Sequence, residues 1–414
     1  MRITIFEDSL YKQFEPVSVL RPVYDIKTGI FSNAERLEYP SEKSKEINYF
    51  CREELAGLVS EQKKRDINTI KSGDELFING RVILFPKAIE KIFGIKSECI
   101  LTERDTLIAA YIKNPKLKNN NFIIDKETFA GTKEIKTESL GLKENKDYYI
   151  LNYSWDVIRY FEEVLRNDLD IVFKKKLYAL PDGDYIRNPK DIYADKKADI
   201  YPGVVMDATK GKIYIDEDSI IEPFTFIKGP AYIGKKVLIK SGTKIYGPVM
   251  AGFNSRLAGE VSGTIFHSFA NKQHDGFIGN SYVCEFVNLG ADTVTSNLKN
   301  NYSIIKTRYK ADMPQINTEM QFLGSIIGDH TKTGINTMLN TGSIIGIFAL
   351  IAGGDFPDKF INNFAWYITG AAPKLYKIDD ALATAKMVMG RRDVVLTEAY
   401  ERVIRGRYEM ANSK

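Results

Sequence analysis

The sequence predicts an α/β domain followed by a parallel β-helix and a helical tail. Three patterns carry that expectation: strand and helix signals in the first part, an isoleucine ladder of period six, and an amphipathic stripe behind it. The ladder is Ile215, Ile221, Ile227, Ile233, Ile239 and Ile245. Four residues after each rung stands a small or β-branched residue: Ser219, Thr225, Ala231, Val237, Thr243 and Val249. A helix with 3.6 residues per turn would walk such a ladder around its cylinder. A flat strand keeps the rungs on one face but needs no corner, so it leaves the small residue unexplained. A coil of short parallel strands explains both, with the aliphatic side chain inside and the small one at the bend.

The first part, 1–195, carries mixed signals. Arg2–Phe6 alternates as a first strand, and Leu76–Phe85 reads as a second, buried strand interrupted at Asn79-Gly80. Trp155, Ile158, Phe161 and Leu165 keep helical spacing and predict an exit helix over 155–168. PDGDYIRNP at 181–189 has the Pro, Gly, Asp and Asn of a linker. The coil is expected over 199–356. Its ladder returns at Phe277, Val283, Leu289 and Thr295, with Ser281, Val287 and Thr293 in the small position. It returns again at Ile327, Thr333, Leu339, Ile345 and Ile351, with Thr331, Thr337, Ser343 and Ala349. The phase shifts imply insertions near 251–276 and 300–322 that leave the coil as loops. In the tail, 357–414, Leu375, Ile378, Leu382, Ala385 and Val388 form a helical stripe ending near Arg391-Arg392. A helix there would close the open end of the coil against strand addition.

Composition narrows the function. The 414 residues carry 58 basic against 54 acidic side chains, a net +4, which gives no case for nucleic acid. Cys51, Cys99 and Cys284 match no metal or disulfide spacing, so a reduced cytoplasm is expected. MRITIFEDSL lacks the pattern of a signal peptide. The longest apolar run, near 344–352, is too short to span a bilayer.

Chemistry concentrates at 270–302. His274 is one of three histidines, and Asn288, Asn297, Lys299, Asn300 and Asn301 follow it, with Gly276, Gly279 and Gly290 easing close backbone approach. A neutral imidazole can take a proton from an attacking amine or hydroxyl near pH 7, and asparagines can hold sugar hydroxyls or phosphate. Spacing alone also allows asparagines that merely stack at bends and a histidine on an ordinary surface loop.

His274, followed by Asn288-Leu289-Gly290-Ala291-Asp292-Thr293-Val294-Thr295-Ser296-Asn297, resembles the acetyltransferase half of the bifunctional N-acetylglucosamine-1-phosphate uridyltransferase/glucosamine-1-phosphate acetyltransferase family. RPVYDIKTGI at 21–30, LFINGRVI at 76–83, GDHTKTGINTMLNTG at 328–342 and VMGRR at 388–392 extend the likeness, to a divergent branch, over nearly the whole chain. The resemblance implies a nucleotidyltransferase-like α/β domain, a left-handed coil and a homotrimer. It makes His274 the general base and places Asn288 and Asn297 on the acceptor sugar phosphate. Acetyl-CoA, or another acyl-CoA, would lie in a groove between subunits, partly formed by 328–342. In the first domain it points to a nucleoside triphosphate or nucleotide-sugar with Mg²⁺. The candidate nucleotide-binding residues are Asn79 and Asn152, the latter matching a metal-contacting asparagine of the family, with Arg21 and Lys27 supplying positive charge in place of the family's loop. The product class is that of UDP-N-acetylglucosamine.

The chain also departs from the family. A sugar-phosphate lysine is replaced by Ser262 and a tyrosine by Phe277. The first glycine is Gly29, so the phosphate-cradling glycine loop is missing. Glu7-Asp8 follows the first strand, and Asn79-Gly80-Arg81 stands where the family has Asn-Gly-Asp with a metal-holding carboxylate. Arg21, Asp25 and Lys27 fit a structural ion-pair cluster as well as a phosphate site. Three functions are compatible: a two-headed enzyme of sugar-nucleotide synthesis, an acyltransferase with a degenerate nucleotide-binding domain, or a non-catalytic scaffold.

Overall fold

The computed structural model describes residues 2–39, 46–117, 122–173 and 185–413. Residues 181–184 of the expected linker lie outside these. The first part is built on β1 (Arg2–Phe6), β2 (Ile47–Phe50), β3 (Glu75–Asn79), β4 (Val82–Leu84), β5 (Cys99–Glu103), β6 (Thr106–Ile112), β7 (Glu134–Lys136) and β8 (Tyr148–Ile150). Its main sheet has the order β2-β1-β3-β6-β5-β7. The first three strands are parallel, and β6 runs antiparallel to both neighbours. β4 pairs with β8 outside that sheet, so the apolar run 76–85 makes two strands rather than one. The helices here are α1 (Asn33–Glu38), α2 (Glu53–Lys63) and α3 (Pro86–Phe93). A capping box at Ser32 and Glu35 starts α1. The chain leaves β1 for one side of the sheet and returns on the other. That reversal opens a crevice at the carboxyl ends of β1 and β3, the usual ligand position in such sheets. The exit helix is two helices, α4 (Asp156–Arg159) and α5 (Phe161–Val172), broken at Tyr160, which stacks on Tyr149 with centroids 4.1 Å apart.

The ladder is the interior of a coil. All six isoleucines and all six small residues are buried. Ile215 pairs with Ile233, Ile221 with Ile239 and Ile227 with Ile245, so every third rung stacks and three hexapeptides make one turn. This is the left-handed hexapeptide coil that the sequence led one to expect. Parallel pairing begins at Ile186–Arg187 and ends at Ala365–Ile368, past both ends of the stretch marked by the repeat.

The two phase shifts have different causes. Near 251–276 no loop leaves the coil, because strands at 256–257, 260–266 and 271–272 continue it. The turns are shortened instead: Leu257 pairs with Lys272, fifteen residues on rather than eighteen. Ile278, not Phe277, consequently points inward. Near 300–322 the expected insertion is present and folds back through an antiparallel pair, Lys306–Thr307 with Ile316–Asn317.

The tail also differs from expectation. α6 (Ile378–Gly390) and α7 (Glu398–Asn412) lie along the side of the coil, and the edge of the last turn is covered by the short strand Lys374–Leu375. What the helices cover is a corner ladder of Phe269, Phe286, His330, Phe348 and Phe364, all with left-handed φ of 54–63°. The ring centroids of successive residues lie 4.8, 5.0, 4.4 and 5.3 Å apart. His330 is neutral within the stack: burial, aided by Lys332, pushes it down to about 3. Tyr400 of α7 bonds its Nε2 at 3.1 Å.

One apolar core runs through both parts, joining Phe14, Trp155, Phe161 and Leu165 to Ile213 and Ile245. Across the joint, Arg21 holds Asp329 with two hydrogen bonds, 3.0 and 2.6 Å, and reaches Glu285 at 3.3 Å. Among the described residues no helix is long and apolar enough to cross a membrane.

Candidate functional site

At the β1/β3 crevice the backbone crowds. Gly80 donates its N–H to the Phe6 carbonyl at 2.8 Å, and a Cβ there would lie 2.6 Å from that of Tyr24, so only glycine fits without movement. Side chains then fill the place a phosphate or metal would need. Glu7 is buried and accepts from the Val23 N–H (2.9 Å), the Arg52 N–H (3.1 Å) and Arg52 Nη1 (2.6 Å). Burial raises its pKa, and Arg52 opposes that rise. Asp8 accepts from Asn79 Nδ2 (2.9 Å), from Arg81 Nε and from the Leu10 N–H (3.2 Å). Arg81 also donates to the Leu151 carbonyl (2.9 Å), Asn152 Oδ1 (3.2 Å) and Thr106 Oγ1 (3.0 Å).

A buried guanidinium thus occupies the centre of Asp8, Asn79 and Asn152. These residues do not fit Mg²⁺, because a fixed monocation already takes the one carboxylate and both amides are engaged. No group of three acidic, histidine or cysteine side chains stands ready for a metal among the described residues. The adjoining cavity, about 280 Å³, is lined by Asp8, Asp105, Asp125 and Glu127 against Arg81 and Lys126, a poor balance for a triphosphate.

Of the four residues expected to bind nucleotide, the fold brings Asn79 and Asn152 together around Arg81 and leaves the other two elsewhere. Arg21 is buried in the joint with the coil, facing Asp329 rather than the crevice. Lys27 donates to Glu35 at 2.5 Å and to the Ile30 carbonyl. Asp25 pairs with Lys63 at 2.9 Å, so the cluster read at 21–27 is three separate ion pairs.

In the coil, His274 stands exposed on the bend between strands 271–272 and 277–279, with no side-chain hydrogen bond among the described residues. Asn288 lies beside Asn271, which donates to its Oδ1 at 3.0 Å. Asn297 lies at another bend, donating to Asn280 Oδ1 at 2.8 Å. Asn280 borders a cavity of about 320 Å³ shared with Arg159, Glu162 and Met320. Within one chain, His274, Asn288 and Asn297 are therefore neighbours in the motif but not hydrogen-bonded to one another.

Lys272 is a residue that the sequence reading missed. It occupies an interior rung, paired with Leu257, and is fully buried. Its ammonium donates to the carbonyls of His274 (2.6 Å) and Asp275 (2.8 Å), fixing the bend that carries the histidine. A charged residue in register with Leu257 was the available signal, hidden by the shortened turn. Burial lowers Lys272 and Lys332 to about 8 each. The unfolded chain therefore binds these protons more tightly between about pH 8 and the ordinary value of 10.5. Stability gains from this source as pH rises through that window, and the full penalty is present below it. In Lys272→Met the gain is expected to shrink relative to the unaltered chain, measured as the urea midpoint at pH 8 and pH 10. Parallel pH curves would refute a buried, titrating lysine.

Sheet, crevice and coil together define a class: a nucleotidyltransferase-like domain carried on a hexapeptide β-helix. The comparisons agree with the resemblance. Residues 3–176 match the family described as Sugar nucleotidyl transferase. The bifunctional sugar-1-phosphate nucleotidylyltransferase/acetyltransferase of Sulfurisphaera tokodaii is 31% identical over 170 residues, covering 38% of each chain. The bifunctional protein GlmU of Rippkaea orientalis is 23% identical over 340 residues, covering 64% of this chain and 68% of that one. The match to the Sulfurisphaera tokodaii protein takes in about two fifths of its length, and that to GlmU of Methanococcus vannielii 30%. The solved structure of LpxA from Acinetobacter baumannii overlaps 51% of this chain and 82% of its own at 12% identity, with a TM-score of 0.27. The chain is a divergent relative of these bifunctional transferases at low identity.

Proposed function

We propose that the protein is a cytoplasmic, homotrimeric transferase of sugar-nucleotide metabolism whose coil moves an acyl group from acyl-CoA to an amino sugar phosphate. The observation that carries this reading is the motif from His274 to Asn297, laid without a gap over consecutive turns of a hexapeptide coil. His274 is the general base. It takes a proton from the acceptor amine as the nitrogen attacks the thioester carbonyl. The C–S bond then breaks, and the thiolate leaves to be protonated as free CoA. Asn288 and Asn297 position the acceptor, with an adjacent subunit completing the groove.

For the first domain the relatives support sugar-1-phosphate nucleotidyl transfer. One observation favours a second reading, in which that domain binds a sugar nucleotide without making it: Arg81, standing where the resembled family has a metal-holding carboxylate, is buried and pairs with Asp8. Both readings are tested together by supplying the purified chain with acetyl-CoA and a panel of amino sugar phosphates, and separately with nucleoside triphosphates and sugar 1-phosphates with and without Mg²⁺. Thiol release without pyrophosphate release is the expected result. Mg²⁺-dependent pyrophosphate release would restore the two-headed enzyme. Failure of both reactions across the panel would refute catalysis and leave a scaffold.

A further inference from the structure

One face of the coil changes character along its length. Parallel register stacks Leu238, Arg256, Asn271, Asn288 and Lys332 on successive turns, and then Leu350 and Trp366. The ends of this column are apolar and its middle is polar and basic. Arg392, in the turn after α6, reaches onto the middle. Its Nη1 donates to the Asn254 carbonyl (3.1 Å) and Oδ1 (2.6 Å), and its Nη2 donates to Asn271 Oδ1 (3.0 Å). Asn271 in turn holds Asn288. The guanidinium is thus fixed in place by neutral oxygens.

Arg256 from the strand and Arg391 from the tail stand near it. Burial, then the repulsion of these two cations, lowers Arg392 to about 10. Among the described residues no carboxylate pairs with any of the three arginines, the adjacent Asp393 included, and the side chains of Arg256 and Arg391 make no hydrogen bond. Single cations elsewhere on the coil are in places matched, Lys197 and Lys235 by Glu217 and Arg187 by Asp207, whereas these three arginines lie together without a carboxylate. Arg256 is in register with the Asn271 that Arg392 holds, and Arg391 precedes Arg392 in the same turn. Neighbouring guanidinium groups without a counter-charge disfavour one another, and their planar forks suit the oxygens of a phosphate.

We propose that Arg256, Arg391 and Arg392 form a binding site for a phosphate monoester dianion, brought to the edge of the Asn288 face by the helical tail. The site does not depend on acyl transfer, since recognition requires only the anion. Two sources share that chemistry: the phosphate of a sugar phosphate, and the ribose phosphate of a nucleoside 3′,5′-bisphosphate such as forms one end of a CoA donor.

Calorimetric titration of the full chain decides the matter, using inorganic phosphate, glucosamine 1-phosphate and adenosine 3′,5′-bisphosphate as probes. Arg256→Gln and Arg391→Gln remove partnerless charges, so their melting temperatures should match that of the unaltered chain and report intact folding. Each is expected to weaken binding by about tenfold. Each should also flatten the dependence of binding on salt. Loss confined to the bisphosphate identifies the donor as the source, and loss confined to glucosamine 1-phosphate identifies the acceptor. The proposal is overturned if the unaltered chain binds none of the three at millimolar concentration, or if both folded variants bind all probes as tightly as it does. Because inorganic phosphate needs no turnover, that failure is distinguishable from failure of the acyl-transfer reading.

Discussion

Replacing Arg21 with alanine is expected to destabilise the protein by about 3–5 kcal/mol, the usual cost of stripping one partner from a buried ion pair. The substitution leaves Asp329 buried and facing only Glu285 and its neighbours, without the two guanidinium bonds that now compensate it. It also removes the donor to the Val17 carbonyl at 2.9 Å. Burial alone would raise the pKa of Glu285, but His267 and Arg21 outweigh it and hold the carboxyl at about 2. That contribution is present above the ordinary value of 4.5 and is lost as pH falls toward 2, so the variant should lose less stability on acidification than the unaltered chain. Urea unfolding at pH 7 and pH 4 measures both effects. Arg21→Met combined with Asp329→Leu removes both charges and should recover much of the loss. A single-variant cost under about 1 kcal/mol, the range of exposed pairs, would show that the joint does not rely on this cluster.

His274→Ala is expected to slow acyl transfer by about 10²–10⁴-fold while leaving the KM for acyl-CoA near its original value. The imidazole is exposed and makes no side-chain hydrogen bond among the described residues, so its removal should not disturb the fold. A rate loss in this variant therefore reports chemistry, and the melting temperature serves as the control. Turnover at the original rate would remove His274 from the mechanism and shift attention to the Asn280–Asn297 bend beside the larger cavity.

The coil was legible because its interior admits only one kind of residue every six positions. Ile215 through Ile245 obey that rule, and every one of them is buried. The same rule failed where the turn length changed. A fifteen-residue step from Leu257 to Lys272 produces the phase shift that an insertion would, so sequence could not separate deletion from loop. It also moved the inward position from Phe277 to Ile278. In the first domain β1 was readable from alternation, and the apolar run around Asn79-Gly80 read as one buried strand where the fold makes two, because its halves pair in different sheets; β2 was missed because four residues give too little pattern. Arg81 in place of a carboxylate was visible as a substitution. Its role was not, because the partners Asp8, Thr106 and Asn152 are scattered through the chain and only the fold gathers them. Arg21 misled for the same reason: its partner Asp329 lies 308 residues away.

The strut formed by α7 has a consequence for how the protein matures. Tyr400 and Tyr408 touch the aromatic corner through His330 and Phe364, while Arg407 pairs with Glu15 and Glu54 of the first domain. On the ribosome, α7 emerges only after both bodies that it braces. Domains fold as units during synthesis, earlier ones first, at about 5–20 residues per second. Until α7 emerges, Glu15, in the segment after β1, lacks its Arg407 contact and Glu54 of α2 has only Arg52, while the solenoid grows turn by turn, each turn templated by the one before. Final assembly is a late, long-range docking event, and the nascent chain carries its unsealed flank until the tail arrives.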